Sequence, residues 1–352
     1  MRTAIGIHDL TFRGGHSPFS VTADHIVEAE RLGVDTVWSA EAWGTDAFTP
    51  LAFIAARTER IRLATGIAQV TARAPAMTAM TAMTLDQISG GRMVLGLGVS
   101  GPQVVEGLHG HPYSRPLERL RETTEVVRMA LRGERVEYHG HQIELPLPGG
   151  QGKALRLSSE PRPDIPIHFA VLGPKGLEYA GEAAQGWVGT CFVPEFAHLY
   201  LEPIRIGAER AGRQMTDIEI LAGGPVAISE DVERLQTARR KALAFQISAM
   251  GSPTTNFYFE AYARMGFREQ ITEVRNTWLA GDQDTACRLV PQGLVEGTSL
   301  YGTTDMVRDR IRAYQRAGVT DLKLEPMGRD PDERLDQLGQ VLDLVREVSA
   351  EN

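Results

Sequence analysis

Short apolar segments alternate with longer amphipathic segments along the chain, and this alternation limits the possible folds more than any other feature. The apolar runs are continuous, which is typical of strands that are covered on both faces, and the following stretches have helical spacing. Eight such β/α units favour a closed barrel, so we predict a (β/α)8 TIM-like barrel. The predicted strands are residues 3–7, 36–41, 60–68, 92–99, 165–171, 186–193, 218–229 and 321–327.

The chain length fits one large domain with insertions. A (β/α)8 barrel needs about 250 residues, and this chain has 352. We predict a single domain over residues 1–352, with insertions after strands 4 and 7. The first, at about 134–163, contains a hairpin in VEYHGHQIELPLPGG, and the second, at about 231–300, is largely helical. Together with the loop at 101–115, these segments are candidate lids or binding loops.

Composition excludes several functional classes. No stretch approaches the roughly 18 apolar residues of a membrane span, and MRTAIGIHDL enters a strand pattern at once, so we expect no secretory signal. Cys191 and Cys287 are too few for a disulfide framework and suit a reducing cytoplasm. The net charge of −8 argues against nucleic acid as the main partner. We expect a cytoplasmic protein that binds a small molecule and does not bind membranes.

In a barrel of this kind the active site lies at the carboxyl ends of the strands, which limits the search to a few positions. The candidates are His8 after the first strand, Glu41 and Trp43 after the second, Gln69 and Val70 after the third, Val99, Ser100 and Gly101 after the fourth, Gly173, Pro174 and Lys175 after the fifth, and Glu325 and Met327 at the eighth.

Each polar candidate also has a structural interpretation. Glu41 either handles a proton beside a bound ring or accepts hydrogen bonds from a neighbouring loop. Trp43 either packs or stacks on a ligand ring, and His8 is either a site residue or a hydrogen-bonded structural histidine. His168 lies inside its strand, where we expect core packing.

Met77, Met80 and Met83 recur at helical spacing. We predict that they form a buried face of their helix rather than part of a cofactor site.

Gly96, Gly98 and Gly101 have the G-x-G-x-x-G spacing of a dinucleotide-binding turn. That motif requires a helix that begins at its third glycine. Here Gly107 and other helix-breaking residues follow Gly101, so a helix is not expected to continue. We instead predict an anion-binding loop at the barrel mouth, in which Gly101 permits close backbone approach and a positive φ. VLGPKG forms a second such loop, where Lys175 supplies positive charge.

Metal and serine-hydrolase sites are not predicted. His109 and His111 stand two residues apart without cysteine ligands, and neither H-E-x-x-H nor G-x-S-x-G occurs.

Four segments carry a family resemblance that runs through nearly the whole chain. AMTLDQISGGRMVLGLGVSGPQV resembles the hallmark stretch of the bacterial luciferase-like flavin monooxygenase superfamily. EAWGTDAFTPLAFIAARTERIRLATGIAQ, HFAVLGPKGLEYAGEAAQGW and NFYFEAYARMGF are similar to its F420-dependent, methylenetetrahydromethanopterin reductase-like oxidoreductases. The resemblance implies a TIM-like barrel with insertions, a homodimer, and hydride transfer through C5 of the deazaflavin coenzyme F420.

The resemblance also implies roles for individual residues. A bulge with a non-prolyl cis peptide after the third strand would lie behind the deazaflavin ring, near Gln69 and Val70. Trp43 is a further candidate for contact with the coenzyme ring because of its strand-end position, independently of the resemblance. The loops Val99–Ser100–Gly101 and Gly173–Pro174–Lys175 would hold the ribityl chain and phosphate. The candidate catalytic residues are Glu41, His8 and Gln103.

One departure from the family pattern concerns the reaction. The F420-dependent sugar-phosphate dehydrogenases of this family have an acid–histidine pair and a glutamate where this chain has Glu41–Ala42 and Gln103. The missing histidine favours a reductase of C=C or C=N bonds over an alcohol dehydrogenase. The alternatives are an FMN-dependent monooxygenase of the same superfamily and a non-catalytic F420 carrier.

Overall fold

A computed structural model describes residues 1–10, 19–252 and 256–351. Residues 253–255, which belong to the second predicted insertion, lie outside the described residues. Along the described chain, eight parallel strands alternate with helices and long segments follow strands 4 and 7. The predicted (β/α)8 TIM-like fold with these insertions is confirmed.

The strands are β1 Arg2–Gly6, β2 Thr36–Ser39, β3 Arg62–Thr65, β4 Met93–Gly98, β5 Ile167–Ala170, β6 Gly186–Gly189, β7 Glu219–Ile228 and β8 Asp321–Pro326. The helices that alternate with them are α1 Phe19–Leu32, α2 Thr49–Ala55, α3 Pro75–Ser89, α4 Pro116–Leu131, α5 Pro174–Ala183, α6 His198–Arg210, α7 Thr304–Arg316 and α8 Pro331–Ala350. Short helical segments lie at Ile7–Leu10, Pro102–Val105, Pro194–Phe196 and Met215–Asp217.

Local sequence explains where the helices begin and end. Proline occupies the first turn of α3, α4, α5 and α8, where its missing N–H leaves no hydrogen bond unmade. Gly90 ends α3 with φ 69°, a conformation that glycine adopts without steric cost. Asp330 caps α8 by accepting a hydrogen bond from the backbone N–H of Glu333 at 2.9 Å.

The described chain divides into two compact units, and parallel strands pair within each of them. In the central unit, Val37–Ala170, β4 pairs with β3 on one side and with β5 on the other. A short strand, Ala68–Gln69, also pairs with β4. The insertion before β5 contains the antiparallel hairpin of Tyr138–His139 with Glu144–Leu145.

The terminal unit comprises Met1–Thr36 and Val171–Asn352. Its strands pair in parallel in the order β6, β7, β8 and β1. After β7 come the helices Val232–Ser248, Phe257–Tyr262, Arg268–Leu279, Gln283–Leu289 and Gln292–Gly297. The strand Leu300–Gly302 then returns to pair with the end of β7.

The methionine prediction is wrong for two of its three residues. Met83 is buried, but Met77 and Met80 have exposed fractions of 52% and 46%. A three-residue repeat falls about 60° short of a full helical turn, so successive methionines drift around α3. Its buried face is formed instead by smaller residues such as Ala79 and Ala82.

His168 is buried, with its ring 5.7 Å from that of Trp38, as predicted for core packing.

Candidate functional site

Glu41 is a buried carboxylate with several hydrogen-bond partners just beyond β2. Its side chain is 7% exposed, and one oxygen accepts hydrogen bonds from the backbone N–H of Gln69 at 2.9 Å and from Arg73 at 2.7 Å. The other accepts from Ala47 N–H at 3.2 Å and lies 2.7 Å from the second Arg73 nitrogen. Glu41 therefore joins the loop after β2 to the segment after β3, which is the structural role considered for it above. We call Glu41, Gln69 and Arg73 the strand-end clamp.

Arg73 was missed by the sequence reasoning. It lies in a loop three residues beyond Val70, the nearest predicted site position, and no motif marks it. Its guanidinium also stands 4.9 Å from the Phe48 ring, a cation–π distance. The only signal in the sequence was a basic residue in the loop that follows a strand.

Gln69 is almost fully buried and bridges the same two segments. Its side-chain amide donates to the carbonyls of Glu41 and Ala42 at 3.1 and 3.3 Å. The side-chain oxygen of Gln69 and the hydroxyls of Ser39 and Thr71 are buried without a hydrogen-bond partner among the described residues. Buried polar atoms are nearly always paired in folded proteins, so these strand-end atoms are suited to a polar ligand.

A non-prolyl cis peptide follows β3, as the resemblance implied, and it joins Gly66 to Ile67, two residues before Gln69. The third strand is shorter than predicted and ends at Thr65, so the irregular backbone begins earlier. A Cβ at position 66 would stand 2.8 Å from the Trp38 ring, which explains the glycine there.

The glycines of the G-x-G-x-x-G stretch have different roles. A Cβ on Gly96 would stand 1.9 Å from the carbonyl oxygen of Thr65, and one on Gly98 would stand 2.9 Å from Ile67. These two glycines allow close strand packing and are not part of an anion loop, which corrects that prediction. Gly101 has φ −139° with open space around its Cβ position, so the expected positive φ is also wrong there.

The loop after β4 nevertheless has a distinctive backbone. Ser100 is the residue with positive φ, at 56°. Its carbonyl accepts a hydrogen bond from the Tyr113 hydroxyl at 3.2 Å. Burial raises the pKa of Tyr113, so this phenol stays protonated and continues to donate. Val99 and Gly101 flank Ser100, and Gln103 is exposed on the short helix that follows.

Two predicted residues present exposed side chains. Trp43, in the central unit, has an exposed fraction of 64%, which leaves its ring accessible for stacking on a ligand. His8, in the terminal unit, is exposed in the short helical segment after β1.

In the terminal unit, the second predicted anion loop leads into α5. Gly173 is the N-cap residue of α5, no side chain caps the helix, and Lys175 is exposed in its first turn. Arg264, from the helical insertion, donates to the carbonyl of Leu172 at 2.7 Å. This second cation lies some ninety residues further along the chain, and the sequence reasoning did not find it. Two cations at a helix N-terminus favour an anion.

The ends of β6 and β8 offer little reactive chemistry. Cys191 is buried with φ 62°, and burial raises the pKa of its thiol to about 12, so the thiol stays protonated and unreactive. Glu325 is 2.5 Å from the Lys323 ammonium, so this strand-end acid is already ion-paired.

Glu118, Glu122 and His141 form a group whose ligand atoms lie within 4.8 Å of one another. The Glu122 carboxylate accepts backbone N–H bonds at 2.8 Å from His141, Gln142 and Ile143. These bonds identify Glu122 as a support for the hairpin turn. None of the described helices is long and apolar enough to cross a membrane.

Comparison with known proteins gives consistent results. Residues 5–321 match the family model described as luciferase-like monooxygenase. A Mycobacterium tuberculosis protein whose name describes a predicted coenzyme F420-dependent oxidoreductase is 40% identical, over 87% of this chain and 90% of the relative. The 5,10-methylenetetrahydromethanopterin reductase of Archaeoglobus fulgidus is 27% identical, over 89% and 91%.

A solved structure extends this comparison. The coenzyme F420-dependent tetrahydromethanopterin reductase of Methanopyrus kandleri superposes with a TM-score of 0.78 at 27% identity. The superposition covers 96% of this chain and 97% of the reductase chain.

Proposed function

Because the chain belongs to the luciferase-like monooxygenase family of enzymes, we propose that it is an oxidoreductase that uses coenzyme F420. It transfers hydride between the deazaflavin and a small organic substrate, and it acts as a reductase of C=C or C=N bonds. The observation that carries the choice of coenzyme is the 40% identity, over nearly the whole chain, to the relative named for F420.

The central unit supports this proposal through its unpaired polar atoms. The unpartnered atoms of Ser39 and Gln69 lie at the strand ends where a barrel enzyme binds its ligand. A deazaflavin ring carries carbonyl and N–H groups that fit such partners. We propose that Gln69, Val70 and Trp43 contact the ring, and that Val99, Ser100 and Gly101 contact the ribityl chain.

The terminal unit supplies the groups proposed for the phosphate. Gly173 and Pro174 begin α5, and Lys175 and Arg264 supply positive charge. In a protein of net charge −8, an anionic coenzyme needs such local cations. When bound, the coenzyme supplies or accepts hydride at C5. The chain's own residues bind it, orient it and limit its exposure to water.

Three residues are candidates for donating or accepting the proton that accompanies hydride transfer. Glu41 is engaged in the strand-end clamp. The side chains of His8 and Gln103 are exposed and therefore accessible to a ligand. We therefore propose His8 and Gln103 as contacts for the substrate or its proton, and Glu41 as the residue that holds Gln69 in place. Ala42, which lacks any polar group, favours reduction over alcohol oxidation.

The binding experiment compares F420 with FMN. Each coenzyme is titrated into the pure protein while tryptophan fluorescence is followed, and the exposed Trp43 makes quenching sensitive to a bound ring. F420 should quench at micromolar concentration and FMN should not. Quenching by FMN alone would support the monooxygenase alternative. Binding of reduced F420 without turnover by any acceptor would support the carrier.

We further propose a cytoplasmic homodimer. Both cysteines are free, in keeping with a reducing compartment. Met77, Met80 and Ile88 on α3 and Phe53 on α2 expose apolar side chains on two helices that pack together. Exposed apolar surface of this kind marks protein interfaces.

The dimer is tested by light scattering. Met80→Lys should lower the measured mass from dimer to monomer, whereas Met306→Lys, at a similarly exposed methionine on α7, should leave it unchanged. A monomeric wild type would contradict the dimer.

A further inference from the structure

A small notch opens in the central unit, at the carboxyl ends of its strands and beside the start of α4. Val70 and Thr71 line one side, and Val99, Tyr113 and Arg119 line the other. The notch is small and partly open to solvent. It lies against residues that we propose as coenzyme contacts, but Thr71, Tyr113 and Arg119 have no role in that proposal.

Arg119 has the features of a cation that binds a ligand. It stands in the first turn of α4, where the helix dipole disfavours positive charge. Its Nε is buried without a hydrogen-bond partner, and no carboxylate among the described residues forms an ion pair with it. The neighbouring Glu118 interacts instead with Arg115 and His141. Arg119 therefore retains charge and hydrogen-bond donors for another group.

Thr71 is an independent indication of the same ligand. Its side chain is among the buried polar groups, with 7% exposure, and its hydroxyl has no partner among the described residues although it lines the notch. A buried hydroxyl without a hydrogen-bond partner is unfavourable, so a ligand oxygen that accepts a hydrogen bond from it would be favoured.

The N-terminus of α4 adds further donors. The helix begins at Pro116 after Arg115, which has φ 45°, and no side chain caps it. Its first backbone N–H groups therefore lack the usual side-chain acceptor, and such groups favour negative charge. Tyr113 already donates to Ser100, so it forms a wall of the notch and fixes the neighbouring loop.

We propose that this notch is an oxyanion subsite, in which Arg119 and Thr71 bind carboxylate or phosphate oxygens. The inference rests on the proposed function, because the oxyanion belongs either to the side chain of the coenzyme or to the substrate. Arg119 would present its planar donor group to two oxygens, and Thr71 would donate to one of them.

The first test uses Arg119→Met with two probes. These are complete F420 and its deazariboflavin core, which lacks the phosphate and the acyl tail. If the coenzyme supplies the oxyanion, the variant should bind F420 about 10- to 100-fold more weakly and the core with unchanged affinity. If the substrate supplies it, coenzyme affinity stays the same, and KM rises by a similar factor for a carboxylate-bearing acceptor but not for a neutral one. Unchanged F420 affinity together with unchanged KM would overturn the proposal.

Two further variants control this result. Arg132→Met removes an arginine at the other end of α4, where it pairs with Glu134 in solvent, and should change neither quantity. Thr71→Val preserves shape and removes the hydroxyl, and it should weaken the same interaction by about fivefold. If Arg119→Met fails to fold, Thr71→Val decides the question by itself.

A thermal-shift experiment with inorganic phosphate tests the oxyanion subsite independently of the proposed function. If the wild type binds neither F420 nor FMN, the proposed function fails. The subsite would then be supported if phosphate raises the melting temperature of the wild type more than that of Arg119→Met. An equal response of the two proteins would overturn it.

Discussion

The carboxyl ends of the second and fifth strands each lead to a charged residue, but the two charges are in opposite situations. Glu41, in the central unit, is buried and accepts hydrogen bonds from the backbone and from Arg73. Lys175, in the terminal unit, is exposed at the uncapped start of α5. The polar groups of Glu41 in the strand-end clamp are paired within the protein, whereas the positive charge of Lys175 is accessible to a ligand.

This difference shows that position at a strand end does not by itself define a functional residue. In a barrel, every strand end lies near the ligand, including those whose polar groups only hold the loops. A structural strand-end residue has its hydrogen bonds and charge paired within the protein, whereas a ligand-binding residue leaves them available. We therefore expect substitutions in the clamp to reduce stability, and substitutions at the Lys175 loop to reduce binding.

The largest expected effect on stability comes from the close packing of β4 against β3 in the central unit. Gly96→Ala would place a Cβ 1.9 Å from a backbone oxygen, which cannot move without displacing β3. It should lower the free energy of unfolding by about 3 kcal/mol, as measured by urea denaturation. Gly101→Ala is the matched control, because nothing lies within 4 Å of its Cβ position, and it should cost less than about 0.5 kcal/mol. Equal losses would mean that the two glycines do not differ in packing.

The second effect comes from the clamp itself. Glu41→Gln preserves shape and removes the charge that balances Arg73, so it should cost about 2 kcal/mol of stability. Turnover of the folded fraction should stay near that of the wild type. Melting temperature and single-turnover rate are measured on one preparation. A stable variant with a strongly reduced rate would instead identify Glu41 as a catalytic residue.

The smallest effect on stability is expected at the terminal-unit loop. Lys175→Ala should leave the melting temperature of the free protein unchanged, because its side chain is exposed. It should weaken F420 binding by about tenfold, the loss of one charge-assisted hydrogen bond. Arg264→Met should act in the same direction. If neither variant alters the dissociation constant, this loop does not hold the coenzyme.

The fold could be predicted from the sequence because its signals are local. Continuous apolar strands, helical spacing and glycine at helix ends act over a few residues, and they place all eight strands. Which side of each helix is buried depends less on local sequence. Met77 and Met80 have the spacing of a buried face, but the small residues beside them pack inward.

The site was predicted less completely because its partners are distant in sequence. The rule that active sites lie at strand ends located Glu41 and Gln69. Arg73, however, pairs with Glu41 across 32 positions of the sequence, and Arg264 donates to Leu172 across 92. The G-x-G-x-x-G stretch could not show that Gly96 packs against Thr65, since that contact depends on how two strands pair.

The proposal of an F420-dependent reductase is tested most directly by a single-turnover experiment. Protein loaded with reduced F420 is mixed anaerobically with activated alkenes and imines, and the absorbance of oxidised F420 is followed. We predict that at least one acceptor restores this absorbance rapidly, and that the protein is required. If no acceptor reoxidises the coenzyme, and reduced FMN with oxygen instead supports product formation, the proposal is wrong.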